Sequence, residues 1–161
     1  KIALLCGPEN VAIGGNRMEG YEKAMEANHL PAKTELIWHC SDFTVEAGKE
    51  ATRQLLSRQE RPDAIFGITD DLAIGAIEAI KEKGLNIPED IAVVGFSNTK
   101  RSRYMNPTVS SINQFPEKIG RAAAELLFDQ ILNSKHAQIK KEIINCELIV
   151  RESSDRLCKT R

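Results

Sequence analysis

The block TDDLAIGAIEAIKEKGLNIPEDIAVVGFSN, Thr69 to Asn98, leaves this chain few ways to fold. Thr69 with Asp70 and Asp71 offers a cap and negative charge to the free N–H groups of a helix start. Leu72, Ala73, Ala76, Ile77 and Ile80 recur at helical spacing and make one apolar face. Lys81 and Lys83 suit a last turn, and Gly84 suits the left-handed residue that ends a helix. Beyond Pro88, IAVVGF is apolar throughout. A strand without a polar face is covered on both sides, as in parallel sheets. It runs into Ser97 and Asn98, at the carboxyl edge where open α/β sheets bind ligands.

The remaining sequence extends the same alternation. Strands are expected over Ile2 to Cys6, Thr34 to Trp38, Ala64 to Ile68 and Val109 to Ile112. Helices are expected from Arg17 to Asn28, from Thr44 to Ser57 with Asp42 as cap, and from Pro116 to Asn133. Gly14-Gly15 reads as a turn in the loop between Gly7 and Asn16. Trp38 reads as core. Ile139 to Val150 reads as one extended segment or a broken pair, and Ser153 to Arg161 as a frayed polar tail. The pattern predicts an α/β fold, a doubly wound parallel sheet with helices on both faces in three layers.

Composition narrows the function. The 161 residues suffice for one sizeable core, and the formal net charge is −1. A nucleic-acid surface would carry a basic bias; KRSR at Lys100 to Arg103 is the single basic cluster and reads as a solvated loop. Cys6, Cys40, Cys146 and Cys158 form no C-x-x-C pair, so free thiols in a reducing, cytoplasmic compartment are expected. No secretory signal or membrane-length apolar run is present. The chain opens at Lys1 directly into a buried type of strand, as expected of a piece of a longer protein.

Parallel strands send their carboxyl ends to one rim. That rim gathers Arg17, Asp42, Phe43, Thr69, Asp70, Ser97 and Asn98. Carboxylates and amides can each engage adjacent hydroxyls, Arg offers a fixed fork of donors, and a ring can stack on a sugar face. The set suits a small polyhydroxylated ligand. Asp42 and Asp70 serve equally well as helix caps, and Phe43 as a plug at a helix start. Arg17, expected at a helix N-terminus where a cation is disfavoured, reads as the better ligand contact. Asp70 and Asp71 are neighbours on a helix and do not face each other, so they make no acid/base or metal pair. No G-x-S-x-G, P-loop or H-E-x-x-H occurs, and no histidine (His29, His39, His136) falls beside a rim nucleophile. No catalysis, cofactor or metal is expected.

GGNRMEGYEKAM, PDAIFGITDDLAIGAIEAIKEKGLNIPEDIAVVGFSN, NPTVSSINQFPEKIGRAAAELLFDQI and the final ELIVRESS resemble, in that order, the effector-binding core of LacI-type transcriptional regulators. This periplasmic-binding-protein-like core is shared with transport proteins. The resemblance implies residues 1–112 as the C-terminal effector-binding subdomain and 113–142 as a crossover helix belonging to a second subdomain outside this sequence. Residues 143–161 would be a returning strand and tail. It also implies an operator-binding helix-turn-helix headpiece outside this sequence, a homodimer, and a sugar-like effector controlling operator affinity from the cleft. Arg17, Phe43, Asp70 and Ser97 fall on the family's effector-contact positions. Many members carry Asp where Ser97 stands, so the ligand is left open.

Three expectations compete. A solute-binding protein of a sugar transporter would share the fold, and sequence before Lys1 would separate it from a regulator. A small enzyme of flavodoxin-like topology would need a nucleophile–base pair, which the rim does not offer. The regulatory reading predicts weak effector binding by this half-pocket, and association driven by the apolar face of the Pro116 helix.

Overall fold

A computed structural model describes residues 1–8, 10–132 and 140–156. Its framework is a single sheet of six strands in the order β2-β1-β3-β4-β5-β6. These are β1 (Ile2–Cys6), β2 (Ile37–His39), β3 (Ala64–Gly67), β4 (Ala92–Phe96), β5 (Ser110–Asn113) and β6 (Glu147–Ile149). The first five are parallel, and β6 joins β5 antiparallel. The helices are α1 (Ala12–Ala27), α2 (Val45–Leu56), α3 (Asp70–Glu82) and α4 (Pro116–Leu132).

The register explains the layering. Ala3, Ile65 and Val93 align across three strands. Side chains alternate across a pleated sheet, so this row shares one face. It is fully buried with the apolar stripes of α2 and α3. Leu4, Phe66 and Val94 make the opposite row, on the side of α1. There Leu4 is buried, whereas Phe66 and Val94 stay partly open, because one helix does not cover five parallel strands.

The Thr69–Asn98 block folds as expected. Thr69 caps α3, its hydroxyl accepting from the Leu72 N–H at 3.3 Å, and Gly84 takes φ 71° just past the helix end. Nine residues of α3 are buried, against Ala122 alone in α4.

Four expectations need correction. Gly14 and Gly15 lie inside α1, which begins at Ala12. Thr34–Leu36 coils as a 3-10 turn, leaving a shorter β2. The cap of α2 is Thr44, whose hydroxyl accepts from the Ala47 N–H at 3.2 Å; Asp42 instead braces Thr44. Ser153 is not frayed. It is fully buried, and its hydroxyl accepts from the Ser110 N–H at 2.8 Å and donates to the Val93 carbonyl at 2.6 Å. It thereby bridges β4 and β5 where they splay. The expected start of the returning segment at Ile139, His136, Cys158 and the end of the tail lie outside the described residues. So does Asn133, the expected end of the last helix.

Candidate functional site

All seven residues expected at the rim lie at or beneath the carboxyl edge, but they do different things there. Arg17 comes first because its premise changes. α1 starts five residues earlier, so Arg17 stands in its second turn and the argument from a disfavoured N-terminal cation lapses. Its position is nonetheless informative. The guanidinium lies 3.8 Å from the centre of the Phe96 ring and donates to the Ile68 carbonyl. This places a cation over the ends of β3 and β4. Burial lowers its pKa from the usual value, and a guanidinium stays charged regardless. Stacking and one carbonyl use only part of its donor capacity, and it lines an open trough together with Gln114.

Phe43 closes over the end of β1. Its ring fills the space a Cβ on Gly7 would occupy, with the nearest ring carbon 2.0 Å from that point. The glycine is therefore what lets the half-buried ring approach the backbone so closely. Asp42 is exposed and its carboxylate accepts from the Thr44 N–H at 2.8 Å and hydroxyl at 2.5 Å. Those hydrogen bonds hold its pKa below the ordinary carboxylate value. Thr69 spends its hydroxyl on the α3 cap.

Asp70 is only 1% exposed. One carboxylate oxygen accepts from the Ser111 hydroxyl at 2.5 Å. The other accepts from the Thr99 N–H at 2.6 Å and the Thr99 hydroxyl at 2.9 Å. Thus Asp70 ties the start of α3 to β5 and to the loop after β4. That loop carries two consecutive residues with left-handed backbone, Ser97 at φ 117° and Asn98 at φ 50°. Non-glycine residues hold such conformations where their surroundings over-determine them. The Asn98 N–H donates to Ser111 Oγ at 2.9 Å, and its side-chain oxygen accepts from Arg151 at 2.7 Å. The Ser97 N–H donates to the Ile112 carbonyl at 3.0 Å, and its hydroxyl accepts from Gln114 Nε2 at 3.2 Å.

Arg17, Phe43 and Ser97 therefore present groups to the edge, whereas Asp42, Thr69, Asp70 and Asn98 hold the edge in shape. Ser97, Asn98, Asn113 and Phe115 border a hollow of about 280 Å³. Gly7, Pro8, Met18 and His39 border another of about 290 Å³. The sequence reading missed Gln114, Phe115 and Arg151. The first two follow the fifth strand, so the rim argument could have reached them. Arg151 is distant in sequence, and nothing local announces that it anchors Asn98. Among the described residues no group of three His, Cys, Asp or Glu could hold a metal ion. Among them, too, no helix is long and apolar enough to cross a membrane.

Residues 1–154 match the periplasmic binding protein-like domain family. The HTH-type transcriptional repressor PurR of Proteus mirabilis is 38% identical over 134 residues, 83% of this chain and 39% of the relative. The HTH-type transcriptional repressor CytR of Escherichia coli is 34% identical over 154 residues, 96% of this chain and 45% of the relative. The solved complex of the transcriptional regulator CelR with cellobiose superposes with a TM-score of 0.87 at 33% identity, covering 95% of this chain and 46% of that one. This chain thus spans less than half the length of these relatives. Fold and likeness agree: the chain belongs to the periplasmic-binding-protein-like family, as the effector-core type found in LacI-type transcriptional regulators.

Proposed function

We propose that this chain is the ligand-sensing part of a DNA-binding regulator and takes a small sugar-like effector at its carboxyl edge. Arg17 carries the reading: a charged guanidinium, oriented by the Phe96 ring and the Ile68 carbonyl, with donors left for a ligand. Phe43 offers an aromatic platform, and Ser97 with Gln114 offers a hydroxyl and an amide. Asp70 reaches a ligand only by giving up Thr99, so its first role here is to position the loop. The cellobiose bound by one solved relative supports a carbohydrate class.

In this proposal residues 1–112 form one wall of a cleft, 113–142 cross to a second subdomain, and 143–161 return. The effector bridges the two walls, biases a hinge, and so alters operator binding by a separate headpiece, in a homodimer. One wall supplies half the contacts, so the 161 residues bind weakly. Amide chemical shifts during titration with cellobiose and monosaccharides test this. Shifts of Gly7, Phe43, Ser97 and Gln114 saturating in the millimolar range, abolished by Arg17→Ala, are expected. No rim shift at tens of millimolar sugar sinks the carbohydrate reading.

A further inference from the structure

The hollow of about 290 Å³ at the amino end of α1 is lined by three side chains that the effector reading does not use. They are the thiol of Cys6, the thioether of Met18 and the imidazole of His39. Register puts two of them side by side. Cys6 on β1 pairs with His39 on β2. Partners in a parallel pair point to the same face, and neighbouring strands lie about 4.8 Å apart. That face is the α1 side, shared with Leu4 two residues before Cys6. Met18 comes from the second turn of α1 and packs against the core, completing three donors around one space. Gly14 and Gly15 border the same hollow without a side chain, which keeps it open. Cys6 is 2% exposed whereas His39 is exposed, so the hollow is closed at the thiol and entered past the imidazole.

The donor set is selective. Two sulfurs and a nitrogen are soft ligands, and no carboxylate lines the hollow. Calcium and magnesium need oxygen ligands, and structural zinc takes four ligands drawn from thiolate, imidazole and carboxylate. Thiolate and thioether select copper(I), and imidazole suits copper as well. We propose that Cys6, Met18 and His39 form a three-donor site for copper(I). The Cys6 thiol releases its proton to solvent and its sulfur takes the ion. Met18 and His39 add lone pairs, and the metal stays in one oxidation state throughout. The negative charge of Glu22 already acts on Cys6 and favours a cation beside it. No sequence motif announces the site, because its donors meet only through the pairing of β1 with β2 and the packing of α1. The bound ion fastens α1 to the ends of β1 and β2, at the residue next to Arg17.

Transfer of copper(I) from a chromophoric chelator, under reductant and without oxygen, tests this on the 161-residue chain. Cys146→Ser and Cys158→Ser first remove two other thiols, and Cys40 is left in place. This parent chain is expected to take up one copper(I), with X-ray absorption showing two sulfurs and one nitrogen around it. Cys6→Ser is expected to bind at least about 100-fold more weakly, and His39→Ala and Met18→Leu at least about 10-fold more weakly each. Met18→Leu nearly conserves volume, so the fold, checked by circular dichroism, is expected to survive it. A parent chain that takes up no stoichiometric copper overturns the inference. So does His39→Ala or Met18→Leu that binds as tightly as the parent, which would mean that the thiol acts alone. Undiminished binding by Cys6→Ser also overturns it, since the ion would then sit at Cys40.

Discussion

At the scale of single residues, Asp70 separates two roles that share one position. Sequence placed it as helix cap or ligand contact; its partners Thr99 and Ser111 lie 29 and 41 residues away, beyond any local signal. Asp70→Asn keeps the shape but offers one acceptor oxygen where three donors now point. An expected loss of about 1–3 kcal/mol follows from leaving a buried donor unmatched. Denaturant unfolding measures the loss, and hydrogen exchange should quicken from Thr99 to Arg103. A change under about 0.5 kcal/mol would show that the carboxylate does not hold the loop. The cysteines give a second prediction. Burial raises the Cys6 thiol to about 11 and the Cys40 thiol to about 12, whereas Cys146 is exposed. Iodoacetamide at neutral pH should modify Cys146 and spare Cys6 and Cys40 in peptide maps. The pH dependence has a definite sign. An unfolded thiol ionises near about 8.5, so above that pH the unfolded chain holds fewer protons and stability falls. This contribution is complete below about pH 8.5 and is lost as pH rises through 11 and 12. Replacing both residues with Ala should flatten that alkaline decline.

At the scale of elements, legibility follows how local the determinants are. α3 and β4 were readable to within a residue because cap, stripe, left-handed glycine and apolar strand lie in one continuous run. The start of α1 was not, since Gly14-Gly15 signals a turn in isolation yet sits within a helix. β6 was expected within a longer returning segment, but Ser153 was opaque for another reason: its position depends on Ser110, Val93 and Thr108, more than 40 residues earlier. The rim was legible as a place, because parallel strands must deliver their ends to one edge. Which rim groups remain available was decided by hydrogen bonds that sequence does not display. The crossing of α2 over α3 is likewise a tertiary fact. A Cβ on Gly75 would lie 2.1 Å from the Val45 carbonyl oxygen, and one on Gly48 would lie 2.4 Å from that of Leu72. Both obstacles are backbone, so the helices must part. Gly75→Ala should therefore destabilise by about 1–3 kcal/mol or more. Gly15→Ala, with nothing within 4 Å of the new carbon, should stabilise by about 0.5–1 kcal/mol through helix propensity. Equal effects of the two substitutions in thermal melts would refute the close crossing.

At the scale of the whole molecule, the two sides of the sheet are unequally finished. On one side α2 and α3 bury a continuous core from Ala3 through Val93, with Lys49 and Arg53 pairing with Glu78 and Glu82 across the outer surface. On the other, α1 stands beside an open trough, and α4 leaves the sheet with one buried residue. Local stability should follow this asymmetry, because amides open with the apolar contacts that hold them. The amides of Leu72 to Ile80 sit in a helix with nine buried residues and should exchange only through global unfolding. Those of α4, with Ala122 alone buried, should exchange through local opening, at least about 100-fold faster in dilute solution. Hydrogen exchange followed by mass spectrometry reads both helices in one experiment. Equal protection of α3 and α4 in dilute solution would mean that α4 is already packed within the monomer. The unfinished side of the sheet would then be closed by the chain itself.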